Sequence, residues 1–235
     1  MKTVIFAGGA GGLGSTAVRL AAERGYLPVI GYLKNHGRAE ALARELGVPA
    51  IGGDIVEQPV REQLIDAARR LGELYGLVAL TGDPARTAIE KASAEDLLES
   101  MRVNFVGPIL LARDFAAAIG DGDGSIVLLS TMQGVGVFAG SAVYAAPKAA
   151  LIHTARILAK QWKLRVNVVA PGVNTAGMAE ASVRSGKYDL FLERGIIARF
   201  GKPEDVARAI LFFLEPDNYV TGQVLTIDGG LSLKM

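Results

Sequence analysis

Thr3-Val4-Ile5-Phe6-Ala7-Gly8-Gly9-Ala10-Gly11-Gly12-Leu13-Gly14 decides the fold. A short apolar run rich in β-branched residues stops at a cluster of glycines, and a helical pattern starts at Leu13. Glycine permits the tight strand-to-helix turn and lets backbone amides approach a pyrophosphate at the helix N-terminus, where the dipole favours negative charge. A glycine-rich turn elsewhere would be structural; directly after a first strand and opening a helix, it reads as a phosphate cradle.

Working outward, the same alternation runs through the chain. Further strand candidates are Pro28–Leu33, Pro49–Gly52, Gly76–Leu80, Ser125–Leu129, Arg165–Val169 and Val224–Ile227. None alternates apolar with polar, as expected of strands covered on both faces of a parallel sheet. Helical patterns lie between them at Leu13–Arg24, Gly37–Leu46, Pro59–Gly72, Ala94–Ile119, Ala142–Trp162 and Pro203–Leu214. The last starts with proline followed by Glu204 and Asp205, a good helix opening. The βαβ rhythm with right-handed crossovers predicts α/β architecture: one domain over 1–235, a doubly wound sheet of about seven parallel strands with helices on both faces. Val173 to Ile197 has no clear pattern, and an unpatterned segment of about 25 residues in a compact domain reads as a lid or substrate loop.

Composition narrows the chemistry. The 235 residues are 50% hydrophobic with 25 basic and 24 acidic side chains, a net charge of +1. That excludes disorder and argues against the basic face that nucleic-acid binding needs. With no cysteine, disulfides, thiolate chemistry and cysteine-held zinc are excluded, and two histidines, His36 and His153, are too few for a histidine metal cage. No metal site is expected. Thr3 to Val18 lacks the apolar core of a signal peptide. The uncharged stretch from Gly124 to Pro147 is too rich in glycine and hydroxyl residues to span a membrane, and reads as a buried catalytic loop. A soluble, cytoplasmic protein is expected.

Gly8, Gly12 and Gly14 give the spacing Gly-x-x-x-Gly-x-Gly. With Tyr144-Ala145-Ala146-Pro147-Lys148, matching Tyr-x-x-x-Lys, the sequence resembles the short-chain dehydrogenase/reductase family across nearly its whole length. Asn104, Ser130-Thr131 at a strand end and Pro171-Gly172 add to the match. Arg199 to Val206, Thr221-Gly222-Gln223 and Asp228-Gly229-Gly230 are most similar to the β-ketoacyl-acyl-carrier-protein reductase branch. The resemblance implies a Rossmann-type fold, NADP(H) or NAD(H) as cofactor, and helices 104–119 and 142–162 pairing between subunits of a homodimer or homotetramer.

Tyr-x-x-x-Lys also stands on its own chemistry. Residues i and i+4 share a helix face, and an ammonium beside a phenol favours the phenolate, so Lys148 is expected to pull the Tyr144 pKa down and make it a general acid. The resemblance implies that Lys148 reaches the cofactor ribose and that Asn104 holds a water relaying protons to it. The family serine lies thirteen residues before its tyrosine, which is Thr131 here. Neighbouring strand residues face opposite ways, so Thr131 is assigned to polarise the substrate carbonyl and Ser130 to a structural hydrogen bond, with the exchange of roles as the alternative.

Cofactor choice is read after the second strand, where an acid would take ribose hydroxyls and cations a 2′-phosphate. Leu33 replaces the acid, and Lys34 and Arg38 follow, which favours NADP(H). The resemblance further implies cofactor contacts at Gly8, Gly11, Gly12, Leu13, Gly14, Tyr32, Asp54, Ile55, Thr81, Gly82, Pro171, Gly172 and Asn174. One departure stands out: the family's Asn-Asn-Ala-Gly is Ala79-Leu80-Thr81-Gly82 here, which removes an amide that ties neighbouring strands. His153, Trp162 and Phe212-Phe213 read as packing.

The expected activity is NADPH-dependent reduction of a ketone, with a 3-oxoacyl thioester on acyl carrier protein or coenzyme A favoured by the resemblance. The alternatives are the same chemistry on a small free polyol or cyclic ketone, and a cofactor-binding protein with weak catalysis.

Overall fold

The computed structural model describes residues 1–234. The apolar runs become β1 (Lys2–Ala7), β2 (Leu27–Tyr32), β3 (Ala50–Gly52), β4 (Glu73–Ala79), β5 (Ser125–Leu129), β6 (Arg165–Pro171) and β7 (Val224–Ile227). They form one sheet in the order β3-β2-β1-β4-β5-β6-β7, every pair parallel. This is the doubly wound sheet expected. The chain reverses its winding between β1 and β4, and a ligand crevice is placed outside the carboxyl ends of strands at such a point.

The helices are α1 (Gly12–Glu23), α2 (His36–Leu46), α3 (Gln58–Leu71), α4 (Ala94–Met101), α5 (Gly107–Ile119), α6 (Met132–Val135), α7 (Ala142–Gln161), α8 (Glu180–Arg184), α9 (Asp189–Glu193) and α10 (Pro203–Leu214). Against one face of the sheet α1, α2 and α10 bury Val18, Leu42 and Ile210. Against the other α3, α5 and α7 bury Leu64, Phe115 and Leu151. Trp162 packs at the edge of that second core. Two other packing expectations are corrected: Phe213 is buried but Phe212 is 43% exposed, and His153 lies on the solvent side of α7.

The single helix expected over Ala94–Ile119 is interrupted. Between α4 and α5, Arg102–Val106 form a π-turn. Pro108 has no N–H to offer the Asn104 carbonyl four residues back, and its ring crowds that carbonyl, so the helix widens there. Proline acts again in α7. Pro147 deprives the Val143 carbonyl of its helical donor, and the Ser100 hydroxyl takes its place at 2.7 Å, tying α4 to α7 next to Lys148.

The unpatterned segment 173–197 contains a 3-10 turn (Gly177–Ala179), α8 and α9. Its apolar side chains, among them Val183, Phe191 and Ile196, pack on Met132, Val173 and Leu231 as a third small core. The segment is pinned at its base, where Gly201 N–H donates to Val173 O and Thr175 N–H to Gly201 O, both at 2.9 Å. Among the described residues no helix is long and apolar enough to cross a membrane, and no His, Asp and Glu group is placed to hold a metal ion.

Candidate active site

At the carboxyl ends of the strands a cavity of about 1200 Å³ runs from the β2–α2 connection, past the glycine turn, to the lid. Every residue singled out above as catalytic or cofactor-binding lines it, except Asn104, which lies fully buried behind its wall.

The glycine turn is built for a ligand's anionic group. Gly8 has φ +85, a left-handed conformation in which any other residue is strained. A Cβ on Gly14 would collide with the Gly8 carbonyl, and one on Gly12 with the backbone of Gly177 in the lid. Gly11 caps α1 without any side-chain bond, so the first-turn amides are left for a ligand. Two buried polar atoms on the same cavity, Thr81 Oγ1 and Asn174 Oδ1, have no hydrogen-bond partner, although Asn174 Nδ2 donates to Gly172 O. Buried polar groups are nearly always paired, so this pair, like the glycine cradle, fits a polar ligand with an anionic segment.

At the far end Leu33 is 57% exposed, and neither Lys34 nor Arg38 has a carboxylate partner among the described residues. Tyr32 bonds His36 Nδ1 at 2.8 Å, and its ring fills the space beside Gly52. Asp54 is committed within the protein: Oδ1 accepts from Val56 N–H, and Oδ2 accepts both Arg102 guanidinium nitrogens at 2.8 and 2.7 Å. Ile55 turns its side chain into the core beneath Gly107. Arg102 therefore belongs to this end of the site, and nothing in the sequence pattern marked it.

The chemistry-bearing groups converge from three elements. Thr131 ends the β5 segment and caps α6; Tyr144 and Lys148 stand on α7. Thr131 Oγ1 accepts from Gln133 N–H at 3.4 Å and lines the same cavity wall as the Tyr144 phenol. Ser130 turns the opposite way and donates to Lys148 O at 2.9 Å, buried. The Lys148 ammonium, itself fully buried, donates to Leu129 O at 2.8 Å and Thr81 O at 3.2 Å. Gly82 is small for a reason: a Cβ there would lie 2.9 Å from Asn104 Oδ1 and 3.2 Å from Lys148 Nζ.

The electrostatics correct the expected phenol acidity. Burial pushes Tyr144 up to about 12; the neighbouring Thr131 hydroxyl opposes that rise and the Asp83 carboxylate adds to it. Met178 of the lid sits over the phenol, its Sδ 4.0 Å from the hydroxyl. Lys148 does not offset the burial, because its own burial lowers its pKa to about 7 and so weakens it as a source of positive charge. Asn104 differs too. Its side chain accepts from Asp83 N–H at 3.1 Å and donates to Asp83 O at 3.0 Å, so the amide anchors the β4–α4 connection. Asp83 and the lid's Met178 join Arg102 as site residues that sequence reasoning did not assign. Ala85, with φ +39, is the non-glycine residue held left-handed in that same connection.

With this geometry in hand, relatives give the chain its place. A family model described as Enoyl-(Acyl carrier protein) reductase matches residues 8–232. A 3-oxoacyl-[acyl-carrier-protein] reductase of Bos taurus is 35% identical over 235 residues, covering 97% of each chain. Among solved structures, a 3-hydroxyacyl-CoA dehydrogenase type-2 from Mycobacterium avium aligns with TM-score 0.83 at 28% identity, over 98% of this chain and 96% of that one. A short-chain type dehydrogenase/reductase from Mycobacterium ulcerans shares the fold at TM-score 0.90 and 24% identity, over 99% of this chain and 90% of that one. The cradle, the Tyr144/Lys148 pair and these full-length matches agree, and the chain belongs to the short-chain dehydrogenase/reductase family.

Proposed function

We propose that this protein reduces the ketone of a 3-oxoacyl thioester, carried on acyl carrier protein or coenzyme A, with NADPH. The observation that carries the reading is the meeting of Thr131, Tyr144 and Lys148 at one end of a cavity whose other end presents Lys34 and Arg38 without carboxylate partners. The Gly8–Gly14 turn suits the pyrophosphate, Lys34 and Arg38 suit a 2′-phosphate, and Lys148, Thr81 and Asn174 supply polar atoms for the nicotinamide half. When bound, NADPH supplies the hydride. Thr131 donates a hydrogen bond to the carbonyl oxygen, and Tyr144 delivers the proton as that oxygen becomes an alkoxide. A phenol held near 12 stays protonated throughout the neutral range, which suits a group whose task is to donate. Lys148 orients the site from behind through its bonds to Leu129 and Thr81.

The thioester class is supported by the name of the bovine relative. Pairing of subunits through α5 and α7 is the accompanying expectation, with Ile157, 44% exposed, as an apolar residue it would cover. The test is NADPH oxidation with 3-oxobutanoyl and longer thioesters beside a panel of free ketones and polyols. Turnover confined to the free compounds would overturn the assignment.

A further inference from the structure

We infer that Arg102 reads the purine base of the cofactor jointly with Asp54, the guanidinium donating to a ring nitrogen while the carboxylate takes the amine beside it. The inference rests on a dinucleotide filling the cavity, and it adds a contact at the end farthest from the reacting carbonyl.

The topology sets where the base lies. The glycine turn follows β1, while Thr131 and Tyr144 lie beyond the end of β5. A dinucleotide with its pyrophosphate on that turn and its nicotinamide beside Tyr144 extends its purine toward β2 and β3, on the other side of β1 in the sheet. Asp54 follows β3, and Arg102 opens the π-turn that Pro108 forces on the helix. The two residues are 48 apart in the chain, yet Arg102 Nη2 lies 2.7 Å from Asp54 Oδ2. Both line the cavity, with their side chains 40% and 26% exposed.

The pair is held firmly without being used up. Asp54 Oδ1 accepts from Val56 N–H at 3.0 Å, and Oδ2 accepts from Arg102 Nη1 and Nη2 at 2.8 and 2.7 Å. A carboxylate has about four acceptor sites, so one is left, on Oδ1. Arg102 Nε donates to Glu99 at 2.9 Å, which leaves one N–H on each terminal nitrogen of the guanidinium. From behind, the buried Arg61 donates to Ile55 O and Val56 O at 2.9 and 2.6 Å and to Asp114 at 2.6 Å, fixing the turn that carries Asp54. A free acceptor is thereby locked beside free donors. That is the combination by which an asparagine or glutamine amide reads adenine. Hypoxanthine has an oxygen in place of the amine and a proton on the neighbouring ring nitrogen, so it presents the reverse pattern.

The test measures dissociation constants by fluorescence titration, without substrate, for NADPH and for its counterpart with hypoxanthine in place of adenine. The unmodified protein is compared with Arg102→Leu, Arg102→Lys and Arg38→Gln. The unmodified protein is expected to bind NADPH on the order of tenfold more tightly than the hypoxanthine cofactor. Arg102→Leu is expected to lose most of that preference, by weakening NADPH far more than its counterpart. Arg102→Lys keeps the charge and one donor, and is expected to recover part of the loss. Arg38→Gln is expected to weaken both cofactors alike and to keep the ratio, since its charge serves the phosphate. An unmodified protein that binds the two cofactors equally would overturn the inference, as would a ratio left intact in Arg102→Leu. Equal weakening of both cofactors in Arg102→Leu would also overturn it, by showing that the arginine acts on the fold or on the phosphate. Absence of turnover with every thioester and ketone would refute the proposed activity alone, because binding is read without substrate. Failure to bind either dinucleotide would overturn the cofactor assignment and this inference together.

Discussion

Lys148 titrates differently folded and unfolded, and that difference is measurable as stability. Its ammonium is held by two backbone carbonyls, and burial lowers its pKa from 10.5 to about 7; the unfolded chain restores the ordinary value. Between these two values the unfolded state binds a proton that the folded state has released, so stability rises with pH across that window and levels off below and above it. From pH 7 to pH 9 the gain amounts to about 2 kcal/mol, or roughly 4–8 °C in Tm for a chain of this length. Lys148→Met keeps an unbranched side chain and removes the titration. The two carbonyls it leaves unpartnered cost stability equally at every pH, so they drop out of the slope. Urea and thermal unfolding of both proteins at pH 7, 8 and 9 isolate the lysine, since every other titrating group is common to the two. The expected result is a Tm that climbs with pH in the unmodified protein relative to Lys148→Met. Parallel pH profiles would show that Lys148 keeps an ordinary pKa when folded and would refute the argument.

Tyr144→Phe is expected to lower reductase turnover by about 10²–10⁴-fold while NADPH affinity, followed by fluorescence titration, stays within a few-fold. Thr131→Ala is expected to cost about 10²–10³-fold in turnover, and Ser130→Ala to act on stability by roughly 1 kcal/mol through the lost bond to the Lys148 carbonyl; the opposite pattern would exchange their roles. NADPH is expected to bind at least about tenfold more tightly than NADH, and Leu33→Asp to narrow or invert that preference, read from dissociation constants for both nucleotides.

What the sequence reveals about this protein depends on how local the cause is. Gly8 to Gly14 can be read directly because the requirement for a side-chain-free turn lies within the turn itself. Tyr144 and Lys148 share a face because a helix imposes it. The phenol's pKa cannot be read that way, since it is governed by what covers the ring: Met178 arrives from the lid, Asp83 from the β4–α4 connection, and the lysine expected to offset burial is itself buried. The π-turn broke a helix expected to run unbroken from Ala94 to Ile119; Pro108 is its local cause, but that the widened turn carries Asn104 depends on the packing around it. The loss of the family's amides at Ala79-Leu80 shows where locality misleads. Those residues suggest a loosened strand end, yet Leu80 N–H still donates to Ala7 O at 2.8 Å, and the Asn104 amide grips both backbone groups of Asp83. Asn104 in turn reaches the Ser100 hydroxyl at 3.4 Å, which is bonded to the Val143 carbonyl that Pro147 sets free. The connection that carries Gly82 is thus held from the helices rather than from the strand, and the substitution at 79–80 transfers the tie without removing it.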